Sequence, residues 1–270
     1  MSYGSQAAKR LADKVIFITG ASSGIGQATA REFASAANGQ IKLVLSARRL
    51  DRLKSLSDEL TSSYKNISVY YNVLDVSKIA SIPVFIDSLP SEFKEIDILI
   101  NNAGKAIGVD KVGSIKQDDI NDMFQTNVLG MIQVVQSILP GMIERKRGDI
   151  VQLGSIAGRE PYPGGAIYCA TKHSLRAFTS ALRKEVVNSP VRIIEIQPGA
   201  VETEFSKVRY YGDEKAAKKV YEGGEPLVAE DIAELIVFSC SRRANTVIAE
   251  TLVFPTCQAS PFHYYRGKGN

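Results

Sequence analysis

An α/β fold is what this sequence predicts: a doubly wound, mainly parallel sheet of seven strands with helices on both faces, in one domain over residues 1–270. Three observations predict it. Short apolar runs that read as buried strands alternate with longer helical segments from residue 14 to residue 254, the pattern of repeated βαβ units. No Pro/Ser/Gly linker, internal repeat or low-complexity stretch divides the chain. About seven strands with one irregular excursion fall short of the eight units a closed barrel needs, so the sheet is open and its ligand lies beyond the carboxyl ends of the strands.

The elements follow in order. Residues 1–12, small and polar, read as a loose arm. Lys14–Thr19 is an apolar run bounded by charge and glycine, the mark of a buried strand. Ile25–Ala37 is alanine-rich and helical, and Ile41–Ala47 is a second strand. Leu50, Leu53, Leu56 and Leu60 recur at three- and four-residue spacing and make an amphipathic helix. Ile67–Tyr71 is a third strand, and Ile79–Leu89 a helix that tolerates Pro83 in its first turn. Ile96–Ile100 is strand four. Two helices follow, over Ile115–Phe124 and Val128–Arg145, then strand five at Ile150–Leu153. A long helix runs from about Tyr168 to Val187, and Val191–Ile196 is strand six. The segment from 201 to 225 is polar, with aromatics, glycines and a short Ala/Lys helix. Ile232–Cys240 is helical, Thr246–Phe254 is the last strand, and the tail over 255–270 has no clear period.

Composition narrows the function. Lys plus Arg is 33 against 29 Asp plus Glu, a net charge of only +4. With no block of five or six like charges, neither a nucleic-acid partner nor a polybasic membrane patch is indicated. Arg145, Lys146 and Arg147 fit compensation of a helix dipole at its C-terminal end better than a binding patch. Three widely spaced cysteines and two histidines build neither a disulfide scaffold nor a metal centre. No apolar run reads as membrane-spanning, and Met1–Leu11 carries no apolar targeting core. The expectation is a cytoplasmic protein without metal, membrane or nucleic acid.

Strand one runs directly into Thr19-Gly20-Ala21-Ser22-Ser23-Gly24-Ile25-Gly26 and a helix follows, the context of a dinucleotide-binding turn in a Rossmann-type fold. Gly20 permits the tight turn, Gly24 and Gly26 remove Cβ atoms where backbone approaches ligand or strand, and the helix N-terminus faces the pyrophosphate. Ser22 and Ser23 add hydroxyls. The competing reading is a Gly/Ser turn without a ligand. Strand two ends in Arg48 and Arg49 rather than an acid. An arginine there holds a 2′-phosphate through charge-assisted bonds, and a helix start is a poor place for positive charge unless an anion joins it. NADP(H) is therefore favoured over NAD, with Arg48 the better candidate and Arg49 stacking on adenine or sharing the phosphate. Asp75, after strand three, fits both an adenine contact, with Val76 on the ring, and a helix N-cap.

Tyr168 and Lys172 lie four apart in a helical segment and share a face. A lysine near a phenol stabilises the phenolate and lets it exchange a proton near neutral pH. Ser155, just after strand five, is placed to hold a substrate oxygen. His173 and Cys169 point off that face. Asn101-Asn102-Ala103-Gly104 ends strand four and lines the cofactor cleft, and Asn127 fits a helix cap at the junction of two helices.

These motifs, in this order and spacing, resemble the classical short-chain dehydrogenase/reductase family over about residues 14–254. The resemblance implies that Ser155 orients the substrate oxygen, Tyr168 is the general acid/base, and Lys172 binds the nicotinamide ribose and lowers the tyrosine pKa. It implies a water on Asn127, a cofactor face at Asn102, Ala103 and Gly104, backbone beside the nicotinamide at Pro198 and Gly199, and Thr203 on the carboxamide, with Val201 beside it. Gly154–Arg159 with Tyr162-Pro163 and Val201–Ser206 look like the NADP-dependent 3-hydroxy acid dehydrogenase group, and the tail segments between Phe254 and Gly267 look most like its yeast members. That group acts on serine, allo-threonine and related short hydroxy acids, usually as homotetramers. A carboxylate substrate wants a cation, and Arg159 or Arg209 supplies one unless both are surface or subunit contacts. Residues 202–224 read as a mobile substrate lid. Phe262, Tyr264 and Tyr265 anchor either a neighbouring subunit or the chain's own core. The alternatives in function are a broad-specificity carbonyl, diketone or sugar reductase and a non-catalytic NADP-binding regulatory protein.

Overall fold

The computed structural model describes residues 3–267. In chain order the elements are α1 (Tyr3–Leu11), β1 (Val15–Thr19), α2 (Gly24–Ala36), β2 (Lys42–Ala47), α3 (Leu50–Ser63), β3 (Ser68–Val73), α4 (Ser81–Asp87) and β4 (Ile98–Asn101). There follow α5 (Gln117–Phe124), α6 (Met131–Glu144), β5 (Gly148–Leu153), α7 (Ala166–Glu185), β6 (Val191–Pro198), α8 (Glu204–Arg209), α9 (Glu214–Lys219), α10 (Ala229–Cys240) and β7 (Glu250–Val253).

The seven strands pair in the order β3-β2-β1-β4-β5-β6-β7, and every pair is parallel. A parallel sheet covered on both faces demands strands without a polar side. β1, β4 and β6 satisfy this by being buried along their whole length. One apolar cluster lies on each face, the first with Phe33, Leu45 and Ile236 at its centre, the second with Phe17, Leu99 and Val134. The order reverses between β1 and β4, so a crevice opens at their carboxyl ends, the place such sheets bind ligands.

Four expectations change. Residues 3–11 are not a loose arm: Ala7 and Leu11 of α1 are buried, Leu11 completely, and Arg10 Nη1 donates to the Ser241 carbonyl at 3.0 Å; Met1 and Ser2 lie outside the described residues. The period was too short to read as a helix from sequence. The two helices expected around Asn127 are one continuous helix in which Gln125–Gly130 is a π-helical turn. The continuous run Gln117–Glu144 is therefore 28 residues, long and apolar enough by those measures to cross a membrane, contrary to the reading of two shorter pieces. Half of its most apolar window is buried within the fold. The last strand covers only Glu250–Val253. Residues 201–225 hold two short helices, α8 and α9, capped by the Thr203 and Asp213 side chains.

Because Leu11 belongs to the core, Leu11→Ala is expected to cost about 2–5 kcal/mol in urea unfolding. A loss below about 0.5 kcal/mol, as for an exposed position, would return residues 3–11 to the status of an arm.

Candidate active site

The crevice at the strand ends is a cleft of about 650 Å³, within the range of small-molecule sites. Its near end is the glycine turn. Gly20 has φ +70°, and a Cβ there would lie 2.9 Å from Asn102 Nδ2. A Cβ on Gly26 would lie 2.5 Å from the Gly20 carbonyl oxygen, so no larger residue fits beneath the turn. Gly20, Ser22, Ser23, Gly24 and Ile25 line the cleft. Ser23 is the N-cap residue of α2 but makes no side-chain cap, which leaves the first-turn N–H groups without a side-chain cap where an anion would sit.

Two residues expected to touch the cofactor stand behind the turn instead. Thr19 is fully buried, and its hydroxyl accepts from the Asn102 and Ala103 N–H groups, each at 3.0 Å. It ties β1 to the end of β4. Gly26 does not line the cleft but seats α2 against the turn. Asn102, Ala103 and Gly104 do line it, and Asn102 Nδ2 fixes the turn by donating to the Thr19 carbonyl at 2.8 Å.

Arg48 and Arg49 both reach the cleft. Arg49 Nη2 donates to Ser23 Oγ at 2.7 Å and to Ser22 Oγ at 3.2 Å, so its guanidinium lies on the turn. Arg48 stays exposed at the rim. Asp75 and Val76 line the cleft. Asp75 Oδ1 accepts from Ser77 N at 3.1 Å and Ser77 Oγ at 2.7 Å. It closes a tight local turn and does not cap α4, whose N-cap is Ala80. Burial pushes the Asp75 carboxyl up, but the Ser77 bonds and the Arg48 charge prevail and hold it below its ordinary value.

The far end carries the groups able to move a proton. Ser155 follows β5 in an extended conformation, accepts from Ala157 N at 3.1 Å, and its hydroxyl is near enough to the Tyr168 phenol to favour the phenol's ionised form. Tyr168 and Lys172 lie one turn apart on α7, both buried, with Lys172 Nζ 5.9 Å from the Tyr168 ring centre. Phe205 closes over the phenol edge-on, 5.5 Å between ring centres. In this arrangement the net shift of the phenol is upward: burial, then the neighbouring Tyr162, pushes Tyr168 well up, against the lowering effect of the Ser155 hydroxyl. Lys172 Nζ donates to the Leu153 carbonyl at 2.6 Å rather than to the phenol. Burial brings Lys172 down to about 8, against the opposing charge of Glu195.

Asn127 is buried in the π-helical turn, not at a cap. Its Nδ2 donates to the Lys105 carbonyl at 2.7 Å and to Thr171 Oγ1 at 3.1 Å, and its Oδ1 accepts from Lys105 N at 2.9 Å. Both amide hydrogens are committed to these partners, and the side chain holds the 105 loop to α7. Arg159 is also displaced from its expected role. It donates to Gln197 Oε1 and, at 2.5 Å, to Glu250 Oε2, and it does not line the cleft. Arg209 does line it, donating to the Tyr162 hydroxyl at 3.0 Å and the Gly164 carbonyl at 2.9 Å. Its Nε is buried with no hydrogen-bond partner.

Pro198, Gly199, Val201 and Thr203 complete the wall, as expected. The sequence reading missed Tyr162, Phe205 and Tyr221 as cleft residues, and Gln258, Pro261 and Phe262 from the tail. Gln258 Oε1 accepts from Ala200 N at 2.7 Å, and Arg266 donates to the Val220 carbonyl at 3.1 Å. The tail therefore folds onto the chain's own 200–220 segment. Only the aromatic content of the tail hinted at this.

A match to the short chain dehydrogenase family model covers residues 14–212. The chain belongs to that family. A relative from Schizosaccharomyces pombe, named NADP-dependent 3-hydroxy acid dehydrogenase, is 53% identical over 95% of this chain and 98% of its own. Sulfoacetaldehyde reductase 2 of Chromohalobacter salexigens is 39% identical over 91% and 95%. Among solved structures, the closed form of a serine dehydrogenase complexed with NADP+ superposes with a TM-score of 0.85 at 36% identity, covering 94% of this chain and 98% of that one.

The buried lysine makes stability depend on pH. An unfolded lysine keeps its proton to about 10.5, while folded Lys172 releases it near 8. Between those values the unfolded state carries more protons, so stability rises with pH. Tyr168, raised by burial, works the other way only once unfolded tyrosine ionises near pH 10. In urea unfolding at pH 7.5 and 9.5, wild type is expected to gain about 2 kcal/mol relative to Lys172→Met. Parallel behaviour of the two proteins would contradict the buried ammonium.

Proposed function

We propose that the chain is an NADP-dependent oxidoreductase that interconverts the alcohol and carbonyl of short 3-hydroxy acids, with serine, allo-threonine and 3-hydroxypropionate-like acids as the substrate class. The observation that carries this reading is one cleft with arginine and the glycine turn at one end and the Ser155, Tyr168 and Lys172 side chains at the other. A phosphorylated dinucleotide fits those residues. Arg49 with Ser22 and Ser23 would hold a 2′-phosphate, the α2 N-terminus the pyrophosphate, and Lys172 the nicotinamide ribose.

When bound, the nicotinamide accepts or gives the hydride. The chain's own groups do the rest. Ser155 holds the substrate oxygen beside Tyr168. The phenol, kept protonated by burial, is set to donate to a carbonyl oxygen, the step required in reduction. The Lys172 ammonium, 5.9 Å from the ring, stabilises the phenolate that remains. Oxidation retraces the path, with the phenolate taking the alcohol proton. Phe205 and the 202–224 segment act as a lid that keeps water off this exchange.

An acid substrate is supported by the two relatives, whose names specify small anions, a hydroxy acid and a sulfonated aldehyde. Arg209 is the cation of this cleft suited to such a group, whereas Arg159 is committed to Gln197 and Glu250. A second reading, a broad carbonyl reductase for uncharged ketones, is favoured by the aromatic wall of Tyr162, Phe205, Tyr221 and Phe262.

Tyr168→Phe is expected to bind NADPH normally and lose about 10²–10⁴-fold in kcat. Turnover near wild type would remove the phenol from the mechanism. Arg209→Gln is expected to raise KM for a 3-hydroxy acid about tenfold or more while leaving an uncharged ketone unchanged, as follows from losing a charge-assisted bond. Equal effects on both substrates would favour the broad reductase.

A further inference from the structure

Glu204 opens α8, the first helix of the lid segment, and its carboxylate spans two guanidinium groups. Oε2 accepts from Arg49 Nη1 at 2.8 Å, and Oε1 from Arg52 Nη1 at 2.7 Å. Arg49 is the same side chain whose Nη2 reaches Ser23 and Ser22 on the glycine turn. One guanidinium thus joins the nucleotide turn to the lid. The contact is close on the backbone side as well, since a Cβ on Gly24 would lie 3.3 Å from Thr203 Cβ.

We propose that Glu204 is the resident anion of the 2′-phosphate subsite, that a 2′-phosphate takes Arg49 from it, and that this exchange passes cofactor phosphate occupancy to the substrate lid. The proposal deepens the NADP reading above and rests on it. A phosphate monoester near neutral pH carries close to two negative charges, against one on Glu204. Both anions want the same planar donor fork, and side by side they repel. The existing pairs are half-exposed, with Arg49 and Arg52 each 41% and Glu204 44% exposed, so they are weakly held and readily exchanged. Arg52 stays available to the displaced carboxylate. A dinucleotide with a free 2′-hydroxyl brings no competing charge and leaves the Arg49 pair intact.

The lid must respond because α8 is short. Phe205, the next residue, packs edge-on against Tyr168 at 5.5 Å. Arg209, at the other end of the same helix, holds Tyr162 and Gly164 at the substrate end. A shift at Glu204 is therefore transmitted within one and a half turns to residues that cover the phenol and face the substrate. Glu204 is ionised in the free protein. The Arg52 bond, against burial and with the Arg49 bond added, holds its carboxyl at about 2.

The test uses 2′-AMP and 5′-AMP as probes, titrated by calorimetry into wild type, Glu204→Gln and Glu204→Ala. Wild type is expected to bind 2′-AMP the tighter of the two. Both variants are expected to bind 2′-AMP about two- to fivefold more tightly than wild type, the range an exposed ion pair supplies. Their 5′-AMP affinity stays at the wild-type value, which also shows that they fold. Hydrogen exchange of amides 204–209 is expected to change when 2′-AMP is added to wild type and not when it is added to Glu204→Ala. If wild type prefers 2′-AMP but neither variant gains affinity, the exchange at Arg49 is overturned while the NADP reading stands. If affinity rises but exchange in α8 is insensitive to 2′-AMP in wild type, the link to the lid is overturned. If wild type does not prefer 2′-AMP, the NADP reading fails and the inference with it.

Discussion

The site depends on two polar side chains being buried together one turn apart on α7. Burial acts on Tyr168 and Lys172 in opposite directions on the pKa scale, and for one reason: it disfavours charge on either. The phenol is pushed up and the ammonium down to about 8. Near neutral pH the phenol is therefore neutral while Lys172 still carries its proton, and that ammonium is in place to stabilise the phenolate when a proton leaves the phenol. The Leu153 carbonyl bond to Lys172 Nζ keeps the ammonium paired in the meantime. β5 thus contributes Ser155 from its end and the Leu153 carbonyl from its last residue. The sheet register, which pairs Leu153 with Ile196, sets that geometry.

Around this pair the fold separates support from contact. Thr19 and Asn127 make no wall of the cleft, yet each ties together two segments that do. The π-helical turn at Gln125–Gly130 turns Asn127 inward. A Cβ on Gly130 would collide with the Val76 carbonyl oxygen, so glycine is required where the long helix passes the strand-three loop. The 201–221 segment and the tail form the remaining wall. Gln258 accepts from Ala200 N and Arg266 donates to the Val220 carbonyl, so the tail packs against both ends of the 200–220 segment.

Much of this was legible in the sequence because it rests on spacing and local chemistry. Unbroken apolar runs gave the strands of a sheet buried on both faces. Gly20, Gly24 and Gly26 with a helix behind them marked the nucleotide turn. The four-residue interval between Tyr168 and Lys172 placed both on one face. The errors share a different cause: they concern partners distant in sequence. Nothing near Arg159 announces Glu250, 91 residues on, and nothing near Arg49 announces Glu204, 155 residues on. The bonds from Arg49 to the Ser22 and Ser23 hydroxyls, 27 and 26 residues back in the chain, were likewise out of reach of local reading. The sign of the Tyr168 shift was also out of reach, since it is set by depth of burial and a one-turn spacing says nothing of depth.

The most direct test of the account is a titration of the two groups in the free protein by NMR, with labelled tyrosine and lysine and with Tyr168→Phe and Lys172→Met for assignment. The account predicts a Lys172 midpoint near 8 and a Tyr168 phenol still protonated at pH 10. A phenol that ionises near neutral pH beside a lysine of ordinary pKa would contradict it.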